Sequence, residues 1–276
     1  MAVLTIAREI GAIIGGEELT LCQALKLRCI SKSTLEDRFS GLGIPRNYLE
    51  RFDECKPGII GSLTNSAGYY WETLRTIVMQ ELPKDNIAVF GRGGNFMLRD
   101  TVKCLRIRFI APEAFRIKQV AKEFSISEAE ARRTIRLSDS SREKFCNYYY
   151  GKSWSDPRNY DLVINTEEIT LETLAEVLPP LLPPPLTDAE RTDLKKTVLA
   201  QLVRHKLFSV PELQLRFPTV ECPDEGVVVL RGEVPSSAAA KRAEEVVRMI
   251  PEAREIRNEL AVVMNDIPHR LPPFNV

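Results

Sequence analysis

Apolar and polar positions along the chain follow two periods, and their alternation sets the elements. Ala2–Ile6 is a short apolar run that predicts a buried strand, and Glu17–Lys26 follows as a helix. Leu35–Phe39 and Arg46–Phe52 predict short helical pieces. Over Gly68–Leu82, Tyr70, Leu74, Ile77, Val78 and Leu82 recur at helical spacing. Ile87–Phe90 predicts a strand stopped by Gly91. Cys104–Ile110 alternates, with Leu105, Ile107 and Phe109 on one face and Arg106 and Arg108 on the other. Helices are predicted over Pro112–Glu123 and Ser127–Arg136, the second capped by Ser127. A strand at Leu162–Asn165 and a helix at Thr170–Leu178 close the series. Strands alternating with helices predict a three-layer α/β domain with a mostly parallel sheet. Ligands of such sheets bind past the C-terminal ends of the strands, where Arg8, Gly11, Gly91 and Arg92 fall.

The pattern then changes. PPLLPPPL, Pro179–Leu186, fixes φ and removes backbone donors, which predicts a stiff spacer. Beyond it lie a helix at Asp188–Lys206, an apolar run Val227–Arg231 before Gly232, a helix at Ser236–Met249 and a strand at Leu260–Met264. Two helices on a small sheet predict a compact α+β module. The expected domains are therefore residues 1–178, a linker at 179–186, a module at 187–265 and a tail at 266–276.

Composition narrows the function classes. Lys plus Arg and Asp plus Glu number 38 each, so net charge offers no pull toward nucleic acid. No apolar run reaches the ~20 residues of a transmembrane helix, and no export signal precedes the first strand. The six cysteines form no C-x-x-C pair and there are only two histidines, which argues against zinc and predicts reduced thiols in a cytoplasmic protein.

Candidate chemistry sits in three stretches. In REIGAIIGGEEL, Gly11 and Gly16 have the G-x-x-x-x-G spacing of a phosphate-binding loop, with Gly15 beside them. The next residue is Glu17 where such loops carry Lys, and a carboxylate near a polyphosphate is repulsive by roughly 1–4 kcal/mol. Glu17 and Glu18 equally suit the positive end of a helix dipole. In AVFGRGGNFMLRD, Arg92 follows a strand end, where a guanidinium either grips phosphate or forms a surface salt bridge. Between Arg132 and Thr166, Arg132, Arg133, Arg136 and Arg142 cluster, with Asp139 three residues before Arg142. Such a cluster is a solvated face or a lid that neutralises a transferring phosphoryl group. Tyr148, Tyr149, Tyr150 and Trp154 either cover a base or pack beneath that lid.

LTIAREIGAIIGG, FGRGG, LRIRFIAPEAFRIKQV, DSSR and GKSWSDPRNYDLVINT occur in an order that resembles the cytidylate kinase-like family of P-loop nucleoside monophosphate kinases, over residues 1–178. The resemblance implies ATP and Mg²⁺ over the Gly loop and CMP or dCMP opposite. It implies that Gly11, Gly15 and Gly16 cradle phosphate with Arg8 as a substitute cation, that Arg92 holds the acceptor, and that Arg136, Asp139 and Arg142 belong to the lid. Departures are visible. The loop is two residues longer and carries Ile13 and Ile14, Ala7 and Gly93 replace the family's Ser and Asp, and no Lys follows Gly16. Val227–Val263 resembles the BON domain, through Gly232, Val234, Ile256, Asn258, Leu260 and Val262. That implies a non-catalytic module for a protein, ligand or phospholipid partner. The alternative to an enzyme is a degenerate kinase fold that senses a nucleotide without turnover.

Overall fold

The computed structural model describes residues 2–41, 64–84 and 86–263, with no side-chain description at 64–67. The helical piece expected at Arg46–Phe52, together with Cys55, His269 and the tail, lies outside the described residues. The chain forms two compact units, Met1–Leu194 and Lys195–Val276.

The first unit is built on five parallel strands: β1 (Val3–Arg8), β2 (Arg28–Ile30), β3 (Ile87–Phe90), β4 (Leu105–Ile110) and β5 (Leu162–Asn165), in the order β2-β3-β1-β4-β5. The central strand β1 is apolar on both sides because helices cover both faces. Leu4, Ile6, Phe90, Ile107, Phe109 and Ile164 share one face and pack on Leu21 and Cys22 of α1 (Glu17–Ala24) and Leu174 of α2 (Leu171–Val177). On the other face Thr5 and Val89 approach Gly94, in the one-turn helix α3 (Gly94–Met97). Two further helices, α4 (Lys32–Gly41) and α5 (Thr64–Glu81), meet through stacked Phe39 and Tyr70 rings, 5.6 Å apart.

After β4 the chain makes a helical hairpin, α6 (Glu113–Phe124) and α7 (Glu128–Tyr150). Ser127 caps α7 in a reciprocal capping box with Glu130, as its sequence position predicts. The expected end at Arg136 is too early. No Gly or Pro interrupts the run until Gly151, which stops the helix in the left-handed conformation (φ 60°). Ile117, Val120, Ala131 and Ile135 form the hairpin's own small core, and Ile10 of the Gly loop packs against it.

Strand β2 was not visible in the apolar pattern, because it is only three residues long and begins with Arg28. Arg28 instead binds Glu81 at the end of α5. Glu81 is nearly buried and accepts from Arg28 (2.7 Å), Arg38 (2.8 Å) and Lys84 (2.7 Å), which ties α4, α5 and β2 together.

The second unit contains α8 (Asp188–Phe208, which begins before the unit boundary), β6 (Arg216–Glu221), β7 (Val227–Val234), α9 (Ser237–Arg248) and β8 (Glu255–Val262). The strand order is β6-β7-β8, antiparallel then parallel. Leu199, Val203, Val228, Leu230, Ala243 and Val247 form its core. Gly232 lies inside β7 and not in a turn. It sits opposite a bulge in β6 at φ 137°, and a Cβ there would lie 2.8 Å from the Arg216 carbonyl oxygen. No described helix is long and apolar enough to cross a membrane.

Two outcomes follow from these contacts. Burial pushes the Glu81 carboxyl up, but its bonds to Lys84 and Arg28 and the charge of Arg38 outweigh that and hold it below the usual range. Its contribution is therefore present above the unfolded carboxylate value of about 4.3 and lost as pH falls through the lower folded value. Glu81→Gln is expected to cost about 1–3 kcal/mol at pH 7 and to flatten the acid limb of a stability–pH profile measured by urea unfolding. Gly232→Ala is expected to lower the stability of the second unit by about 1–3 kcal/mol, seen in its denaturation midpoint, because both φ and the facing carbonyl oppose a side chain.

Candidate functional site

The Gly loop runs from the end of β1 to the first turn of α1. Gly11 takes φ 82°, and a Cβ on it would lie 2.8 Å from the Arg116 carbonyl oxygen and 2.9 Å from Val120, so α6 packs directly onto its backbone. Gly16 takes φ 83° and caps α1. These two conformations turn the loop back on itself, and its carbonyls are partly used internally: Glu9 accepts from Ala12 N–H (3.1 Å) and Ile14 accepts from Glu17 N–H (3.1 Å). Two amides of the loop are also engaged. Ile14 N–H donates to the Glu17 carboxylate (2.6 Å), and Gly15 N–H donates to the Glu123 carboxylate from α6 (2.9 Å). Beside the loop is a cavity of about 250 Å³, lined among others by Ile14, Thr20, Gln119, Thr166 and Glu172.

A buried ion network adjoins the loop. Glu9 follows β1 and accepts from Arg108 Nη2 (3.0 Å), from Arg116 Nη1 (3.0 Å) and from Ala111 N–H (3.3 Å). Arg116 also donates through Nε to the Ile10 carbonyl (2.8 Å) and through Nη2 to both oxygens of Asp139 (2.9 and 2.8 Å). Asp139 in turn lies 3.8 Å from Arg142. Arg108, Arg116 and Arg142 are each 5–6% exposed. Arg108 stacks on Trp154 at 4.3 Å and Arg142 lies over the same ring at 5.7 Å. Burial holds the Tyr160 hydroxyl well above its usual range, so it stays protonated and donates to the Trp154 carbonyl (2.8 Å). The aromatic side chains therefore pack beneath the hairpin, except Tyr148, which is half exposed.

Past β3, Gly91, Arg92 and Gly93 take three consecutive left-handed conformations (φ 70°, 53° and 65°). For Arg92 this is strained backbone. The turn points its guanidinium inward, where it donates to the Tyr70 hydroxyl, and its carbonyl accepts from Tyr150 (2.8 Å). A Cβ on Gly93 would lie 2.2 Å from the Tyr150 ring. In this packing the position has no room for the aspartate of the family pattern.

The structure thus gathers Gly11, Asp139 and Arg142 about Arg116, while Gly15 is tied to α6 through Glu123 and Gly16 caps α1. Arg92 lies beyond β3 and joins α7 through Tyr150. Arg8 ends β1, pairs with Glu18 and lies over the Phe90 ring at 5.9 Å. Arg136 is exposed on α7 and takes no part in the network. Glu9, Arg108 and Arg116 escaped the sequence reading. The sequence marked Arg108 only as a polar-face position of β4, and nothing set Arg116 apart from the other charged residues of α6. Among the described residues no group of three or more His, Cys, Asp or Glu is placed to hold a metal, and the five described cysteines are free thiols.

The profile of the cytidylate kinase-like family matches residues 3–168, and that of the BON domain matches residues 192–264. A uronate isomerase from Corynebacterium glutamicum is 35% identical over 94 residues, which are 34% of this chain and 18% of that protein, so the chain spans under a fifth of that relative's length. A crystal structure of an uncharacterized protein from Eubacterium ventriosum covers 66% of this chain and 98% of its own, at 17% identity and TM-score 0.50, and shows a shared fold. A shikimate kinase from Acinetobacter baumannii, in complex with shikimate, covers 66% and 92% at 13% identity and TM-score 0.36. With its family match spanning the five-stranded unit and its loop, the chain belongs to the cytidylate kinase-like family and carries a BON domain toward its C-terminus.

Proposed function

We propose that the first unit binds ATP at the Gly11–Gly16 loop and transfers its terminal phosphoryl group to a pyrimidine nucleoside monophosphate, CMP or dCMP. The observation that carries this reading is the set of buried guanidinium groups, Arg108, Arg116 and Arg142, held on Glu9 and Asp139 against that loop. Family membership supports it. Burying charge is costly unless it is paired, and a paired network beside the loop suits chemistry that needs preorganised positive charge. Phosphoryl transfer is such chemistry, because charge spreads over the equatorial oxygens and little covalent work is left to the protein.

In this reading the cavity beside the loop takes the nucleoside end of ATP, and the Ile14 and Gly15 amides take its phosphates. An acceptor phosphate oxygen bonds to the γ-phosphorus while the bond to the β–γ bridging oxygen breaks and ADP leaves. Arg142 answers the charge that develops. Arg116 positions it through Asp139, and Glu9 orients Arg116 and Arg108. Arg92 holds the acceptor. Mg²⁺ enters as part of the substrate, since it is bound largely through phosphates and water and needs few protein carboxylates.

A second reading is a nucleotide sensor without turnover, favoured by Glu17 standing where a cation is expected. The BON domain then serves a protein, ligand or phospholipid partner in either case.

A coupled assay with CMP, dCMP, UMP and AMP, run beside a thermal-shift titration with ATP, separates the two. Turnover supports the enzyme, and stabilisation by ATP without turnover supports the sensor. Arg142→Ala is expected to lower the rate by about 10²-fold or more while ATP binding falls only modestly. An unchanged rate removes Arg142 from the reaction.

A further inference from the structure

The Gly loop is already satisfied by anions of the chain's own making. Its consecutive amides at Ile14 and Gly15 each donate to a different carboxylate. Glu17 reaches back from the first turn of α1, and Glu123 arrives from α6, 108 positions away in sequence. Carboxylate and phosphate oxygens make the same kind of charge-assisted bond to an amide, so two ligands of one chemistry compete for one pair of donors. Among the described residues neither Glu17 nor Glu123 forms an ion pair, and the loop amides are their hydrogen-bond partners. Glu123 is exposed, and Glu17 lines the mouth of the 250 Å³ cavity. Both can therefore turn into water without breaking another bond.

We propose that Glu17 and Glu123 form an internal latch that closes the nucleotide loop and opens only to a polyphosphate. The inference rests on the nucleotide reading given above and deepens it. A single phosphate replaces two charge-assisted bonds with at most an equivalent set, and it meets the repulsion of both displaced carboxylates. A triphosphate complexed with magnesium brings more acceptor oxygens and its own counter-charge. The latch thereby sets the affinity for nucleotide and rejects small anions.

The test measures binding of magnesium ATP and of inorganic phosphate to the full chain by titration calorimetry. The proteins are wild type, Glu17→Ala, Glu123→Ala, the double alanine variant, the Glu17→Gln/Glu123→Gln pair, and Glu128→Ala. The last removes the same charge from the exposed first turn of α7. The double alanine variant is expected to bind ATP about tenfold or more tighter than wild type, or ~1.4 kcal/mol. The single variants and the glutamine pair fall between, Glu128→Ala matches wild type, and inorganic phosphate binds measurably only once both carboxylates are gone. If an alanine variant does not fold, the glutamine pair decides: ATP binding tighter than wild type, even by less than tenfold, supports the latch, and no tightening overturns it. Wild-type binding that the double variants fail to tighten overturns the latch and leaves the nucleotide reading standing. Tightening matched by Glu128→Ala also overturns it, because general electrostatics would then explain the gain. ATP binding by none of the proteins overturns the latch and the nucleotide reading together.

Discussion

The first unit depends on one side chain, Arg116. Its guanidinium binds Glu9 at the end of the central strand, the Ile10 carbonyl in the Gly loop and Asp139 in the facing helix of the hairpin. Loop and hairpin also meet through Gly11 packed on the α6 backbone, through Gly15 N–H on the Glu123 carboxylate, and through Ile10 against Ile117, Val120 and their neighbours. A guanidinium buried to this degree is stable only with its donors satisfied, and its planar fork suits carboxylates on two sides. Removing either carboxylate would leave buried positive charge, so the three elements are locked by the penalty for separating them.

The same logic explains the departures from the family pattern. The amides of the Gly loop need acceptors, and in the described structure Glu17 and Glu123 supply them at Ile14 and Gly15. Glu17 gains from the helix dipole at the position where lysine would stand. At Gly93 Tyr150 occupies the space a larger residue would need and secures the strained Arg92 turn from its carbonyl side. Missing residues in a motif are therefore not missing functions until the neighbours that took their space are known.

Much of the fold was readable in one dimension. The alternation of β4 placed Ile107 and Phe109 on the core face and Arg108 opposite, as found. The Ser127 cap and the apolar run of β1 were equally local signals. Elements failed to show where burial does not follow pattern: β2 is three residues long, β6 is mostly exposed, and α7 continues past a polar stretch that gave no helical stripe. Of the candidate residues, Asp139 and Arg142 lie in the network and Arg136 is exposed outside it, though all three share one helix.

By itself the sequence determined the strand–helix alternation, the glycine positions at the loop and the arginine cluster between Arg132 and Arg142, because these depend on propensity and spacing within a few residues. Only the tertiary structure decided which arginines are buried, that Glu9 and Arg116 are partners across 107 positions, and that Glu123 reaches Gly15. Charge pairing acts through space and pays no heed to separation along the chain, whereas hydrophobic periodicity is written along it. The scaffold was therefore legible in the sequence, and the electrostatics of its site required the fold.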